Sequence, residues 1–199
     1  MPRQVDHEGR RRLIARAVFD LISERGIEGA SMRDAAQRAG VSVGAVQRCF
    51  STKEEMIIFV LGYMNQRVTE RVQEKIAGAR DPESALTMLE QTLIGILAVD
   101  EQSLAETRVW LAFTAQAAIN PQLAVVQRAQ YTGLTELFAL LVRVAGERGH
   151  ARPDIDADQE ADSLVTFTDG LNVQILVGRH TPNSALAAVH QRIAALRGA

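Results

Sequence analysis

The stretch SMRDAAQRAGVSVGAVQRCF, residues 31–50, decides the fold. Ser31 followed three residues on by Asp34 reads as a helix N-cap: the hydroxyl can accept from a free backbone N–H of the first turn, and the acid can answer the N–H of the cap itself. A short helix then spans Met32 to Ala39, and Gly40 ends it in the left-handed conformation that a side chain would disfavour. Ser42 caps a second helix, from Val43 to about Phe50. Small Ala35, Ala36 and Ala39 let two helices approach, and Val41 and Val46 are expected to bury against Ala36 and the preceding helix. Val43, Gly44, Gln47 and Arg48 are left facing outward. Two short helices on a glycine turn, the second presenting its N-terminal face, form a helix-turn-helix suited to the major groove.

Working outward, Ile14, Val18, Leu21 and Ile22 recur at helical spacing between His7 and Arg25, until Gly26 and Gly29 break the pattern. On the other side, Ser51 with Glu54 reads as a further capping box, opening a long helix whose stripe is Ile57, Leu61, Met64, Val68, Val72 and Ile76. Proline is tolerated at a first helical position, so Asp81-Pro82, Asn120-Pro121 and Thr181-Pro182 read as helix starts. Asp156 with Gln159 makes another. Helices are thus expected near 82–99, 101–118, 121–148, 157–179 and 182–197, and no period-two run suggests a strand. The fold class is all-α with about nine helices.

The 199 residues are 47% hydrophobic, enough for a substantial core. No stretch reaches the roughly 18 apolar residues of a membrane span, and the start lacks the apolar run of a secretory signal, so a cytoplasmic location without a membrane partner is expected. Cys49 is the single cysteine, which excludes an internal disulfide and leaves no second thiol to resolve an oxidised one. His7, His150, His180 and His190 are scattered, and Glu147 with His150 is one Glu-x-x-His where a di-iron bundle needs two. With no nucleophile elbow, phosphate loop or dinucleotide fingerprint, no cofactor, metal or enzymatic activity is expected. The net charge of −2 hides an asymmetry: residues 1–53 carry ten Lys/Arg against six Asp/Glu, whereas residues 54–199 carry twelve against eighteen. A basic head on an acidic body suggests a phosphate-facing end.

From Arg12 to Val60 the chain resembles the DNA-binding domain of the tetracycline-repressor (TetR) family. The resemblance is carried by Phe19 and Glu24-Arg25-Gly26, by the turn Gly40-Val41-Ser42-Val43-Gly44-Ala45-Val46, and by Phe50-Ser51-Thr52-Lys53-Glu54-Glu55-Met56. It departs in the second helix of the hairpin, where the family often has Tyr-x-His-Phe and this chain has Gln47-Arg48-Cys49-Phe50. The resemblance implies a phosphate or base role for position 47. By chemistry Gln47 can pair with adenine and Arg48 with guanine. It gives Lys53 a phosphate contact, and Ser31 and Arg33 would lie near the DNA backbone at a helix N-terminus. The expected DNA-contacting set is Ser31, Arg33, Ser42, Val43, Gly44, Gln47, Arg48 and Lys53. Arg10, Arg11 and Arg12 either form a minor-groove arm or solvate an exposed helix start.

The resemblance further implies a DNA-binding domain over 1–53 and a ligand-sensing, dimerising domain over 54–199. Tyr63, Trp110, Phe113, Phe138 and Phe167 are candidate pocket residues, with Gln116, Thr114 and Asn172 as polar partners. A two-fold homodimer is expected through the last two helices, with Leu164, Leu171, Ile175, Val189 and Ile193 at the interface, because apolar residues surround most of the first of them. The function implied is a ligand-responsive regulator, a repressor released from a palindromic operator by a small-molecule effector. The alternative is a helical binding protein or enzyme that kept the fold without operator binding.

Overall fold

The computed structural model describes residues 7–197. Its described residues form nine α-helices and no strand: α1 His7–Arg25, α2 Met32–Ala39, α3 Val43–Cys49, α4 Lys53–Ala77, α5 Ala85–Ile96, α6 Glu101–Ala117, α7 Pro121–Glu147, α8 Ala157–Leu176 and α9 Pro182–Leu196. A 3₁₀ turn, Ile27–Gly29, joins α1 to α2.

Two helix starts differ from expectation. The cap of α4 is Thr52, whose Oγ1 accepts from Glu55 N at 3.0 Å, while the Glu55 carboxylate accepts from Ser51 N at 2.7 Å. The hydroxyl cap therefore sits one residue later than Ser51, and the Glu55 carboxylate answers the N–H before the cap rather than that of Thr52 itself. Likewise α5 begins not at Pro82 but after Ser84, whose hydroxyl accepts from Thr87 N. A serine hydroxyl satisfies a first-turn N–H, which a proline merely lacks, so the cap prevails over the permissive ring.

The chain divides into two compact units, Met1–Arg67 with Arg108–Val125, and Val68–Thr107 with Val126–Ala199. In the first, α1 buries Ile14, Ala15, Ala17, Val18, Phe19, Leu21 and Ile22. Val46 of α3, Met56 and Val60 of α4, and Phe113 of α6 are buried in the same unit.

The second unit has its own core, in which Leu89 and Leu93 of α5, Phe138 and Val142 of α7, Leu164 of α8 and Val189 of α9 belong to one cluster. Each such side chain contributes about 1.5–3 kcal/mol through its removal from water. Gly95 permits a close approach of α5 to α4, since a Cβ there would stand 2.3 Å from Val72 Cγ2. Beside it Arg71 grips Glu106 with two hydrogen bonds, 2.9 and 2.6 Å, and donates to the Gly95 carbonyl at 3.0 Å. Asn172 is consumed structurally: its Oδ1 accepts from Ala98 N and its Nδ2 donates to the Ile96 carbonyl, closing the end of α5.

Leu164, Leu171, Ile175, Val189 and Ile193, the residues expected at a dimer face, all lie in this core, at most 7% exposed. Helical spacing marks an apolar stripe but not what it faces, and these stripes face the core of their own unit. The large apolar residues left to solvent here are Val173 of α8 and Val177, the C-cap that follows it.

Candidate nucleic-acid interface

The hairpin is built as its residues dictate. Ser31 takes an extended conformation, its Oγ accepts from Asp34 N at 3.2 Å, and Asp34 Oδ2 accepts from Ser31 N at 3.1 Å and from the Ser31 hydroxyl. These bonds, the hydroxyl first and the backbone N–H second, hold the Asp34 carboxyl below the usual carboxylate range. Gly40 adopts φ 66, and Val41 N donates back to the Ala36 carbonyl at 3.0 Å, so the chain reverses within two residues. Ser42 Oγ then accepts from Ala45 N at 3.2 Å.

This fixes the faces of α3. Ala45, Val46 and Cys49 are buried, whereas Val43, Gln47 and Arg48 are exposed and Gly44 is half-exposed. Helical side chains lean toward the N-terminus, and a Cβ on Gly44 would meet Arg48 Nη1 at 3.6 Å. The Arg48 guanidinium therefore lies over the first turn of α3, the part of such a helix that meets base edges. Val41, expected to bury, is only half-buried.

The remaining candidates surround this face unequally. Ser42 and Arg33 are exposed, and Ser31 is partly covered with its hydroxyl engaged by Asp34. Lys53 Nζ lies 3.8 Å from Glu28 Oε2, and Gln116 Nε2 donates to Glu28 Oε1 at 3.2 Å. Glu28 is 83% exposed, so this ion pair is weak and a phosphate can displace it. Arg38, on the same hairpin, is occupied by Glu24 through bonds of 2.9 and 2.6 Å, which hold the Glu24 carboxyl below its ordinary range.

The three arginines of α1 have different fates. Arg12 reaches Glu8 at 3.3 Å, and Arg10 is half-buried. Arg11 turns inward onto Phe50 and Phe59, an arrangement that sequence reasoning missed because residues 11, 50 and 59 share no local spacing.

The expected pocket residues divide between the two units. Tyr63, Trp110, Phe113 and Gln116 belong to the first unit, Phe138 and Phe167 to the second. Phe113 and Phe138 are at most 1% exposed and act as core; Tyr63, Trp110, Gln116 and Phe167 are half-buried. Thr114 donates to the Trp110 carbonyl at 2.9 Å, as a helical threonine commonly does. A concavity of about 380 Å³ in the second unit, bordered by Val142, Arg143, Arg152 and Ile155, includes none of the six.

Comparison with known proteins completes the picture. Residues 14–58 match the family of bacterial regulatory proteins called the tetR family, and residues 85–198 match the C-terminal domain of BetI-type transcriptional repressors. The HTH-type transcriptional regulator PksA of Bacillus subtilis is 33% identical over 177 residues, covering 89% of this chain and 83% of that protein. A crystal structure of a transcriptional regulator from Rhodococcus superposes with a TM-score of 0.79 at 30% identity, covering 94% of this chain and 95% of that one. A transcriptional regulator from Saccharomonospora viridis, solved in complex with choline, shares the fold with a TM-score of 0.81 at 23% identity, covering 94% and 96%. The capped hairpin, the all-helical body and these matches define a class, the helix-turn-helix transcriptional regulators. Within it, the chain belongs to the TetR family.

Proposed function

We propose that the protein is a homodimeric repressor that reads a palindromic operator through α3 of each protomer and releases it when a small organic effector binds the helices beyond α3. The observation that carries this reading is the outward face of α3, where Arg48 is drawn over Gly44 and Gln47 is exposed, with Arg33 exposed on α2. Arg48 and Gln47 read bases; Ser31, Arg33, Ser42 and Lys53 meet the backbone; Val43 and Gly44 make the close contacts of the first turn.

Dimerisation follows from the need to read enough base pairs, since one hairpin covers a single half-site. The interface uses exposed Val173 of α8 and its C-cap Val177, with the exposed alanines of α9, Ala187, Ala194 and Ala195. Leu137 and Leu140 of α7 add two more exposed leucines in the same unit. Half-buried Tyr63, Trp110 and Gln116, all in the first unit, remain the candidate effector contacts, a reading supported by the choline-bound structural neighbour. The dimer acts in the cytoplasm as a regulator rather than an enzyme, releasing DNA because the effector has different affinities for the two states.

Fluorescence anisotropy of a labelled duplex, selected by the protein from a random pool, tests this. Affinity should fall steeply with salt through release of counterions from the duplex, and the selected sequence should contain an inverted repeat. Salt-independent binding, or a consensus without two-fold symmetry, would contradict the reading.

A further inference from the structure

At the junction of α3 and α4 lies a cluster that none of the proposed DNA contacts uses. Arg11 of α1 lays its guanidinium over Phe50 and Phe59, with Cζ 4.7 and 4.5 Å from the two ring centroids. The rings are 5.4 Å apart and inclined at 60°. Phe50 is the C-cap of α3 and fully buried, and Phe59 is on α4. Arg11 Nη2 also donates to Glu55 Oε1 at 3.3 Å, and Glu55 Oε2 accepts from the N–H of Ser51, the residue after Phe50, at 2.7 Å. The Arg11 side chain is 24% exposed, and its Nε is buried without a partner.

A guanidinium suits this place, being planar, weakly hydrated and able to stack on aromatic faces while its edge meets a carboxylate. The seven residues of α3 are too few to hold a helix alone, so its orientation is set by its ends. Ser42 and the glycine turn fix the first end. The second end is held by Phe50 under Arg11 and by Ser51 on Glu55. A base-reading side chain must be placed to about 0.5 Å, so a small tilt of α3 costs selectivity.

We propose that Arg11 is a positioning residue for DNA recognition: it touches no nucleic acid, but clamps the C-terminal end of α3 between α1 and α4 so that Gln47 and Arg48 meet base edges. The proposal rests on α3 being the base-reading helix. Its partner is internal, because one ring face, a second ring face and a carboxylate already occupy the guanidinium.

The test uses the full chain and two duplexes of equal length, one selected by the wild-type protein from a random pool and one unselected. Arg11→Gln should bind the selected duplex about tenfold more weakly, the size expected for a lost cation–π contact with its hydrogen bond. The unselected duplex and the slope of log affinity against log salt should be unchanged. A residue on phosphate would weaken both duplexes and lower the slope by about one, which would overturn the proposal. Unchanged affinity for the selected duplex would also overturn it. Arg11→Lys keeps the charge but not the planar stack and should stay impaired; full rescue would point to a simple charge contact instead. Should Arg11→Gln fail to fold, Phe59→Leu decides, since it keeps apolar volume and Arg11 but removes one ring. It should lose affinity for the selected duplex alone, and equal loss on both, or none, would refute the clamp. Arg48→Ala on the same duplexes separates the two ideas. If it lowers selectivity and the Arg11 and Phe59 variants do not, only the clamp fails; if it does not, the reading of α3 itself fails.

Discussion

Replacing Arg71 by methionine should be among the most damaging single changes in the second unit. The guanidinium makes two bonds to Glu106, 2.9 and 2.6 Å, and a third to the Gly95 carbonyl, 3.0 Å. The two side chains are 19% and 7% exposed, so solvent takes over these roles only in part. In Arg71→Met the apolar stem is largely kept, but the Glu106 carboxylate retains only Gln102 Nε2, at 3.0 Å, among its described side-chain donors. Bonds to a charged group contribute about 1.5–3 kcal/mol each, and removing one member of a buried pair costs about 3–5 kcal/mol because the other is stranded. A loss near 3 kcal/mol is expected, taking the low end because the pair keeps some water access. Urea unfolding followed by far-ultraviolet circular dichroism, at fixed protomer concentration, measures it. Arg71→Met with Glu106→Leu should recover most of the loss, since the buried charge goes as well. A single-variant loss below about 1 kcal/mol, or a double variant as unstable as the single, would refute the reasoning.

Two further outcomes follow from other sites. The Asp100 carboxyl is held below its ordinary range chiefly by the Ser103 backbone N–H at 2.8 Å, so the ionised form stabilises the start of α6. Because the folded value is the lower one, this contribution is complete above the ordinary aspartate value of about 4 and is lost as pH falls below it. Asp100→Asn should therefore cost about 1 kcal/mol at pH 7, with the gap to wild type closing in unfolding curves below about pH 4; a gap that widens in acid would contradict this. At the proposed dimer face, Val173→Arg with Val177→Arg should give folded monomers in sedimentation velocity, since those side chains are 41% and 73% exposed. Leu171→Arg should instead unfold the chain, because Leu171 is 5% exposed; a dimeric Val173/Val177 variant would move the interface elsewhere.

The head was legible because its signals are local. Ser31 with Asp34, Gly40 and Ser42 lie within a dozen residues, and each acts on the backbone within four positions of itself, as the structure reproduces. The same holds for Asp156 and Thr181, which cap α8 and α9 where expected. Misreadings arose where two local signals competed, as with Pro82 against Ser84, or Ser51 against Thr52. The less legible features depend on contacts between distant residues. Leu164, Leu171, Ile175, Val189 and Ile193 form sound apolar stripes, but which neighbour a stripe faces is a property of the assembled unit. Arg11 over Phe50 and Phe59, and Arg71 on Glu106, join residues 35 or more positions apart and leave no periodic trace. Asn172 was read as a ligand partner from polarity alone, whereas it closes α5 across 74 and 76 residues.

The most direct measurement selects duplexes from a random pool with the wild-type protein and with Arg48→Ala, and compares the two consensus sequences. Wild type should yield an inverted repeat, and Arg48→Ala should relax one base pair in each half-site at a cost of about 1–3 kcal/mol while leaving the rest of the pattern intact. An identical consensus from the two proteins, or no enrichment by wild type, would contradict base reading by α3.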